Sequence, residues 1–195
     1  MSEKRTIVIA EDDSLIRMDM VEILKDNGYI VLAEAKDGLE AVEFAKKHNP
    51  DILLLDIKMP FLLGTKVAKV LKEQGYKGCI IMLTAYSIEE YIQEATNNNV
   101  SGYLIKPLDE KILISQMNLF YKNYKEKETL QVELKKNEQK LKDRIVIDKA
   151  KGILMDKYNL SESEAYNKIR KTSMEKRMTL INLAEIINST EGFYD

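Results

Sequence analysis

The chain has 195 residues, 45% of them hydrophobic and 32% charged, with 30 basic against 32 acidic side chains and a formal charge of −2; that is one large domain or two small globular ones, not a collagenous, mucin-like or disordered chain. No apolar run approaches the roughly 18–20 residues of a membrane span and the N-terminus lacks a signal-peptide core, so a cytoplasmic protein without a membrane partner is expected. A single Cys79 and a single His48 leave almost nothing for a disulfide, a cysteine zinc cluster, a histidine metal site or Ser-His-Asp catalysis, and any metal must sit on carboxylates.

The first part of the chain alternates short apolar runs with amphipathic segments. Thr6 to Ala10 predicts a strand, and Ile16, Met20, Ile23 and Leu24 have the spacing of a helix over 14–26. Asn27-Gly28-Tyr29 is a turn, a second strand covers 30–35, and Asp37-Gly38 opens a helix toward Lys47. A buried strand over 52–55 follows, then a loop from Met59 to Gly64 and a helix to about Gln74. The strands 79–83 and 102–105 flank a predicted helix over 88–97. Continuous apolar runs are expected of parallel strands with helices on both faces. Five such pairs in about 120 residues imply an α/β, doubly wound, flavodoxin-like (βα)5 sheet over residues 1–121.

From Ile112 the strand signals stop and the charge changes sign, from −5 over residues 1–121 to +3 over 122–195. The two parts have different tasks. Residues 122–142 read as a coiled-coil linker, in which Leu130, Leu134, Asn137 and Leu141 follow heptad spacing and the polar Asn137 suits a dimer register. The plainer alternative is a solvated connecting helix. Residues 143–195 read as a small all-α unit of three helices: one from about Asp143 to Lys157, one opened by the capping-box pattern Ser161-x-x-Glu164, and one from Thr179.

In a doubly wound sheet the residues after each strand share one edge, where ligands bind. Here they are Glu11, Asp12 and Asp13 after the first strand, Asp56 after the third, Thr84 after the fourth, and Lys106-Pro107 after the fifth. Carboxylates suit a hard divalent ion such as Mg²⁺, a hydroxyl can bond a phosphoryl oxygen and an ammonium can neutralise it. The chain carries neither a GxxxxGK[ST] nor a GxGxxG loop, so a phosphoryl-transfer site without a bound nucleotide is expected. Asp13 is either a further metal-side acid or an ordinary helix-start acid. Cys79 reads as a small hydrophobe in a buried strand and His48 as a cation at a helix end.

These residues, over about 4–122, resemble the receiver domain of two-component response regulators: Glu11-Asp12, Asp56 followed by Met59-Pro60 and Gly64, Thr84-Ala85, Tyr103, and Lys106-Pro107. The resemblance implies that Asp56 accepts a phosphoryl group from a sensor histidine kinase. It also implies that Asp12, Asp56, the Lys58 carbonyl and, through water, Glu11 hold Mg²⁺, that Thr84 and Tyr103 form the switch, and that the Lys106-Pro107 peptide is cis. Tyr103 is otherwise an ordinary strand aromatic.

The tail, over about 140–190, resembles the ANTAR domain of transcription antitermination regulators. The matching residues are Ile147-Asp148-Lys149-Ala150-Lys151-Gly152-Ile153-Leu154-Met155, Ser161-Glu162-x-Glu164-Ala165-Tyr166 with Ile169-Arg170, and Leu183-Ala184-x-Ile186-Ile187. Ser173-Met174 departs from the small alanine that this family favours. The order of receiver, coiled coil and ANTAR module is similar to that of the ethanolamine-utilisation antiterminator regulators. It implies a homodimer, formed on phosphorylation, that binds hairpins in leader RNA. Arg144, Lys149, Lys151, Arg170 and Lys171 would supply charge for the RNA, and Tyr166 would stack on an unpaired base. Each lysine also reads as a solvated helix face, and Tyr166 as a core residue. The rival output is a dimeric protein-interaction or DNA-binding helical module, although no helix-turn-helix pair with a basic second helix is evident. An enzymatic output would need a polar catalytic cluster that the tail lacks, so no activity beyond slow autodephosphorylation is expected.

Overall fold

The computed structural model describes residues 4–85 and 100–192. Contacts divide the chain into two units, Met1–Lys127 and Glu128–Asp195. The first holds β1 (Thr6–Ala10), α1 (Ser14–Asp26), β2 (Ile30–Ala35), α2 (Gly38–His48), β3 (Ile52–Asp56), α3 (Gly64–Glu73), β4 (Cys79–Thr84) and β5 (Val100–Ile105). The expected helix over 88–97 lies outside the described residues. All five strands are parallel in the order β2-β1-β3-β4-β5, the flavodoxin-like arrangement.

Alternation along the strands sends side chains to two cores. Ile7, Ile9, Ile52, Leu54, Ile81 and Leu83 pack with Met20, Val21 and Leu24 of α1 and with Leu113 and Met117 of the next helix. Val8, Leu53, Leu55, Ile80 and Met82 pack on the other face with Ala41 and Ala45 of α2 and Val67, Ala68 and Leu71 of α3. The buried Cys79 is one of the small residues of the first core. Both faces are dry, which is why the strands read as unbroken apolar runs.

Helix starts follow their capping residues. Asp13 accepts from the backbone N–H groups of Leu15 and Ile16 at 2.8 and 3.2 Å, and Asp37 from Leu39 and Glu40 at 2.9 Å each. Asp13 is therefore the N-cap of α1, the plainer of its two readings. His48 ends α2 beside the left-handed Asn49.

The next helix, α4 (Glu110–Tyr158), runs 49 residues from the first unit into the second. Its start is capped by Asp109, which accepts from Lys111 and Ile112. No proline or glycine occurs between Pro107 and Gly152, so nothing local breaks the helix at the ends of the heptad stretch. The second unit completes itself with α5 (Glu162–Glu175) and α6 (Leu180–Thr190). Ala150 and Leu154 of α4, Ala165 and Ile169 of α5, and Leu183, Ala184 and Ile187 of α6 form its core. Ser161 and Glu164 form the predicted capping box, and Thr179 caps α6. Ser173 is buried, its hydroxyl satisfied by the Arg170 carbonyl at 2.8 Å, while Met174 stays exposed, so the departure from alanine is accommodated by one local hydrogen bond.

At the edge of the sheet opposite the strand ends, Asp51 ties three elements. It accepts from the Thr6 N–H and hydroxyl at 2.9 and 2.8 Å and from the Tyr121 hydroxyl of α4 at 3.4 Å. Burial alone would push its carboxyl up, but the Thr6 donors, Tyr121 and the nearby Lys125 outweigh it and hold it below the ordinary aspartate value. A depressed folded-state value means stability that is present above the unfolded value and is lost as pH falls through the folded one. Asp51→Asn should therefore cost about 1 kcal/mol at neutral pH, and its difference from wild type should shrink on acidification below about pH 4. Urea denaturation across pH measures both.

Candidate functional site

The strand register places the site. Ala10 pairs with Leu55, Asp56 with Leu83, and Thr84 with Ile105, so Glu11, Asp56, Thr84 and Lys106 fall along one edge where the strand order reverses around β1. Glu11 is 1% exposed and Asp56 6%. The Lys106 ammonium lies 2.5 Å from a Glu11 oxygen and 2.9 Å from an Asp56 oxygen, bridging the two. The Lys106–Pro107 peptide is cis, as the resemblance implies.

Burial pushes the Glu11 and Asp56 carboxyls up, against the pull of Lys106. The Lys58 N–H also donates to the Asp56 carboxylate, and the negative charge of Asp12 raises Asp56 further. For Lys106, burial favours the neutral amine, but Glu11 and Asp56 outweigh it and hold the ammonium charged. Ligand atoms of Glu11, Asp12 and Asp56 lie within 4.8 Å of one another, with Asp12 exposed. Three hard carboxylate donors with an excess of negative charge fit a divalent cation of the Mg²⁺ type.

Thr84 ends β4, is 3% exposed, and its carbonyl accepts from the Lys106 N–H at 2.7 Å. Tyr103 of β5 is half-buried against the α2/α3 core. Its hydroxyl is buried without a hydrogen-bond partner among the described residues, and burial raises its pKa.

In the second unit the sequence candidates separate. Lys149 and Arg170 are exposed, and Tyr166 is 40% exposed, so it lies outside the core. Lys171 is exposed and 4.0 Å from Glu175. Arg144 lies 3.6 Å from Asp148, and Lys151 is held by both Asp148 and Glu162. Leu130, Leu134 and Leu141 are each about 60% exposed, and Asn137 is exposed beside them.

The response regulator receiver domain family matches residues 7–118, more than half of the chain. The chain belongs to that family. The ANTAR domain family matches residues 135–187, so this is a two-component response regulator with an RNA-binding antiterminator output. The transcriptional regulatory protein PdtaR of Mycobacterium tuberculosis is 35% identical over 188 residues, which cover 96% of this chain and 91% of that protein. The chemotaxis protein CheY of Bacillus subtilis is 32% identical over 112 residues, 57% of this chain and 93% of the relative. Among solved structures, the chemotaxis protein CheY4 of Vibrio cholerae aligns with TM-score 0.57 at 30% identity, over 60% of this chain and 98% of that one.

The receiver also uses residues that sequence reasoning passed over. Arg17 donates to the Glu11 carbonyl at 2.6 Å and lies 3.7 Å from Glu34, tying the acidic loop to α1 and β2. Its position one turn into α1, four residues after the cap, is one that a solvated helical arginine also takes, so the sequence carried no distinguishing signal. Gly38 is a second case: a Cβ there would stand 2.1 Å from the Leu62 carbonyl oxygen, so the loop after β3 closes on α2 only over a glycine. Gly64, quoted for its place in the motif, has a physical reason of the same kind, since its Cβ would lie 2.2 Å from the Asp56 carbonyl oxygen. Gly64→Ala must move the backbone of Asp56 itself. It should destabilise the receiver by about 1–3 kcal/mol, seen as a lowered urea midpoint.

Proposed function

We propose that Asp56 takes a phosphoryl group from a sensor histidine kinase, and that the modified chain dimerises and binds hairpins in leader RNA to let transcription proceed past a terminator. The observation that carries this reading is the Lys106 ammonium bridging Glu11 and Asp56 at the strand ends of a chain that also carries an ANTAR domain. The assignment divides the chain into a receiver (1–121), a coiled-coil linker (122–142) and an ANTAR unit (143–195), working in the cytoplasm.

An Asp56 carboxylate oxygen attacks the phosphorus of a phosphohistidine. The new P–O bond forms as the P–N bond breaks, and the electron pair leaves with the imidazole nitrogen. The acids repel the incoming phosphoryl oxygens, and Lys106 supplies a fixed positive charge against them. Glu11, Asp12, Asp56 and the Lys58 carbonyl would hold Mg²⁺, which when bound adds positive charge beside those oxygens. As Asp56 changes from carboxylate to acyl phosphate, Lys106 keeps an anionic partner in the phosphoryl oxygens. The Thr84 hydroxyl reaches toward the same oxygens, and Tyr103 moves further inward into the space Thr84 leaves. That couples chemistry at one strand end to the β4–β5 surface.

In the linker, Leu130, Leu134 and Leu141 expose an apolar row with Asn137 at a register position, the pattern of a second helix packing alongside. In the output unit, Lys149, Arg170 and Lys171 offer exposed charge and Tyr166 an exposed ring for an unpaired base.

Asp56→Asn should abolish formation of a base-labile, hydroxylamine-sensitive acyl phosphate from a phosphohistidine donor with Mg²⁺ while keeping the folded circular dichroism spectrum; undiminished labelling overturns the acceptor assignment. Leu134→Lys should shift the phosphorylated chain toward monomer in light scattering, because a seam charge must be desolvated. An unchanged mass makes the linker a solvated helix. A hairpin selected from a randomised-loop RNA pool should bind the phosphorylated chain, and preference for a DNA duplex would sink the RNA reading.

A further inference from the structure

The matched Lys149-Ala150-Lys151-Gly152 stretch carries two lysines, and they are in different physical situations. Lys149 is exposed and has no ion pair among the described residues. The Lys151 side chain is only 14% exposed, and its ammonium lies 2.6 Å from Asp148 of the same helix and 2.6 Å from Glu162 in the first turn of α5. Arg144 lies 3.6 Å from the other Asp148 oxygen. This cluster of two cations and two carboxylates is neutral. A phosphate approaching Lys151 would meet two carboxylates already on its ammonium, so little attraction remains and few counterions would be released. Residues two apart on an α-helix also point about 200° away from each other, so Lys149 and Lys151 do not face one phosphate track. Two further contacts tie the same helices: the Lys168 ammonium stacks 4.2 Å over the Tyr158 ring, linking α4 to α5, and Lys157 donates to the Glu191 carbonyl that ends α6.

We infer that Lys151 is a positioning residue that staples the first turn of α5 to α4 through Asp148 and Glu162, and that Lys149 alone supplies the phosphate-facing charge of this stretch. The inference rests on the RNA-binding reading above for its second half only. Lys151 sets where Tyr166 and Arg170 stand relative to α4, so its loss is felt by RNA through geometry and not through charge.

The test uses the full phosphorylated chain and the hairpin selected from the randomised-loop pool. Lys149→Met should lower the slope of log K against log salt by about 0.7–0.9 unit and leave amide exchange in 162–169 unchanged. Lys151→Met should leave the salt slope unchanged, speed exchange in 162–169 and weaken binding, each about two- to fivefold. Lys151→Arg, which keeps both carboxylate partners, should restore exchange and affinity. Glu162→Gln should loosen the same turn without tightening RNA binding. A full-contact drop in salt slope for Lys151→Met, or tighter binding by Glu162→Gln, overturns the inference, because either shows Lys151 meeting phosphate. Should no hairpin bind the wild-type chain, the RNA reading fails, and the staple is still decided by exchange. Non-additive effects of Lys151→Met and Glu162→Gln support it, and additive effects or unchanged exchange overturn it.

Discussion

One ammonium group stands between two buried carboxylates at the edge of the sheet, and the rest of the receiver is arranged to keep it there. Without Lys106, Glu11 and Asp56 would be two like charges out of water in close proximity, and one of them would take up a proton. With it, a fixed positive charge faces both carboxylates in a place where anions are costly. The same balance makes the site responsive, because a change of charge on any one of the three groups alters the partners of the other two at once.

That balance depends on backbone register. Glu11, Asp56, Thr84 and Lys106 stand at the ends of four different strands, separated in sequence by as many as 95 residues. They meet because parallel pairing holds β1, β3, β4 and β5 in step, and because dry cores on both faces fix that pairing. The glycines at 38 and 64 belong to the same constraint. They let the segment after β3 fold back against α2 and against the backbone of Asp56.

What was legible in the sequence was whatever depends on local pattern. The apolar runs gave the strands, the helical spacing of Ile16, Met20, Ile23 and Leu24 gave α1, Asp37-Gly38 gave the start of α2, and Ser161-x-x-Glu164 gave the opening of α5. The site was legible because strand ends converge in this topology, so four distant residues were readable as one group. Arg17 was not legible, because its partner is a backbone carbonyl and a helical arginine looks the same whether it is solvated or anchored. Nor could the two lysines at 149 and 151 be told apart. They share a residue type and a helix, and it takes the placement of Glu162, eleven residues beyond Lys151, together with Asp148 to separate an exposed charge from a committed one.

The junction between β1 and α1 packs three acids into three positions, and each does something different. Glu11 is held by Lys106, Asp12 is the exposed member of the acidic cluster with Glu11 and Asp56, and Asp13 closes the first turn of a helix. A change of acid type at any one position leaves the other two in place. An insertion or deletion of one residue does not, because it moves the helix cap onto a neighbour's seat and turns a buried carboxylate toward water. The spacing of this junction is therefore held more rigidly than its chemistry: substitutions can be absorbed along α1, but the count of residues between the last strand hydrogen bond and the first helical turn cannot drift.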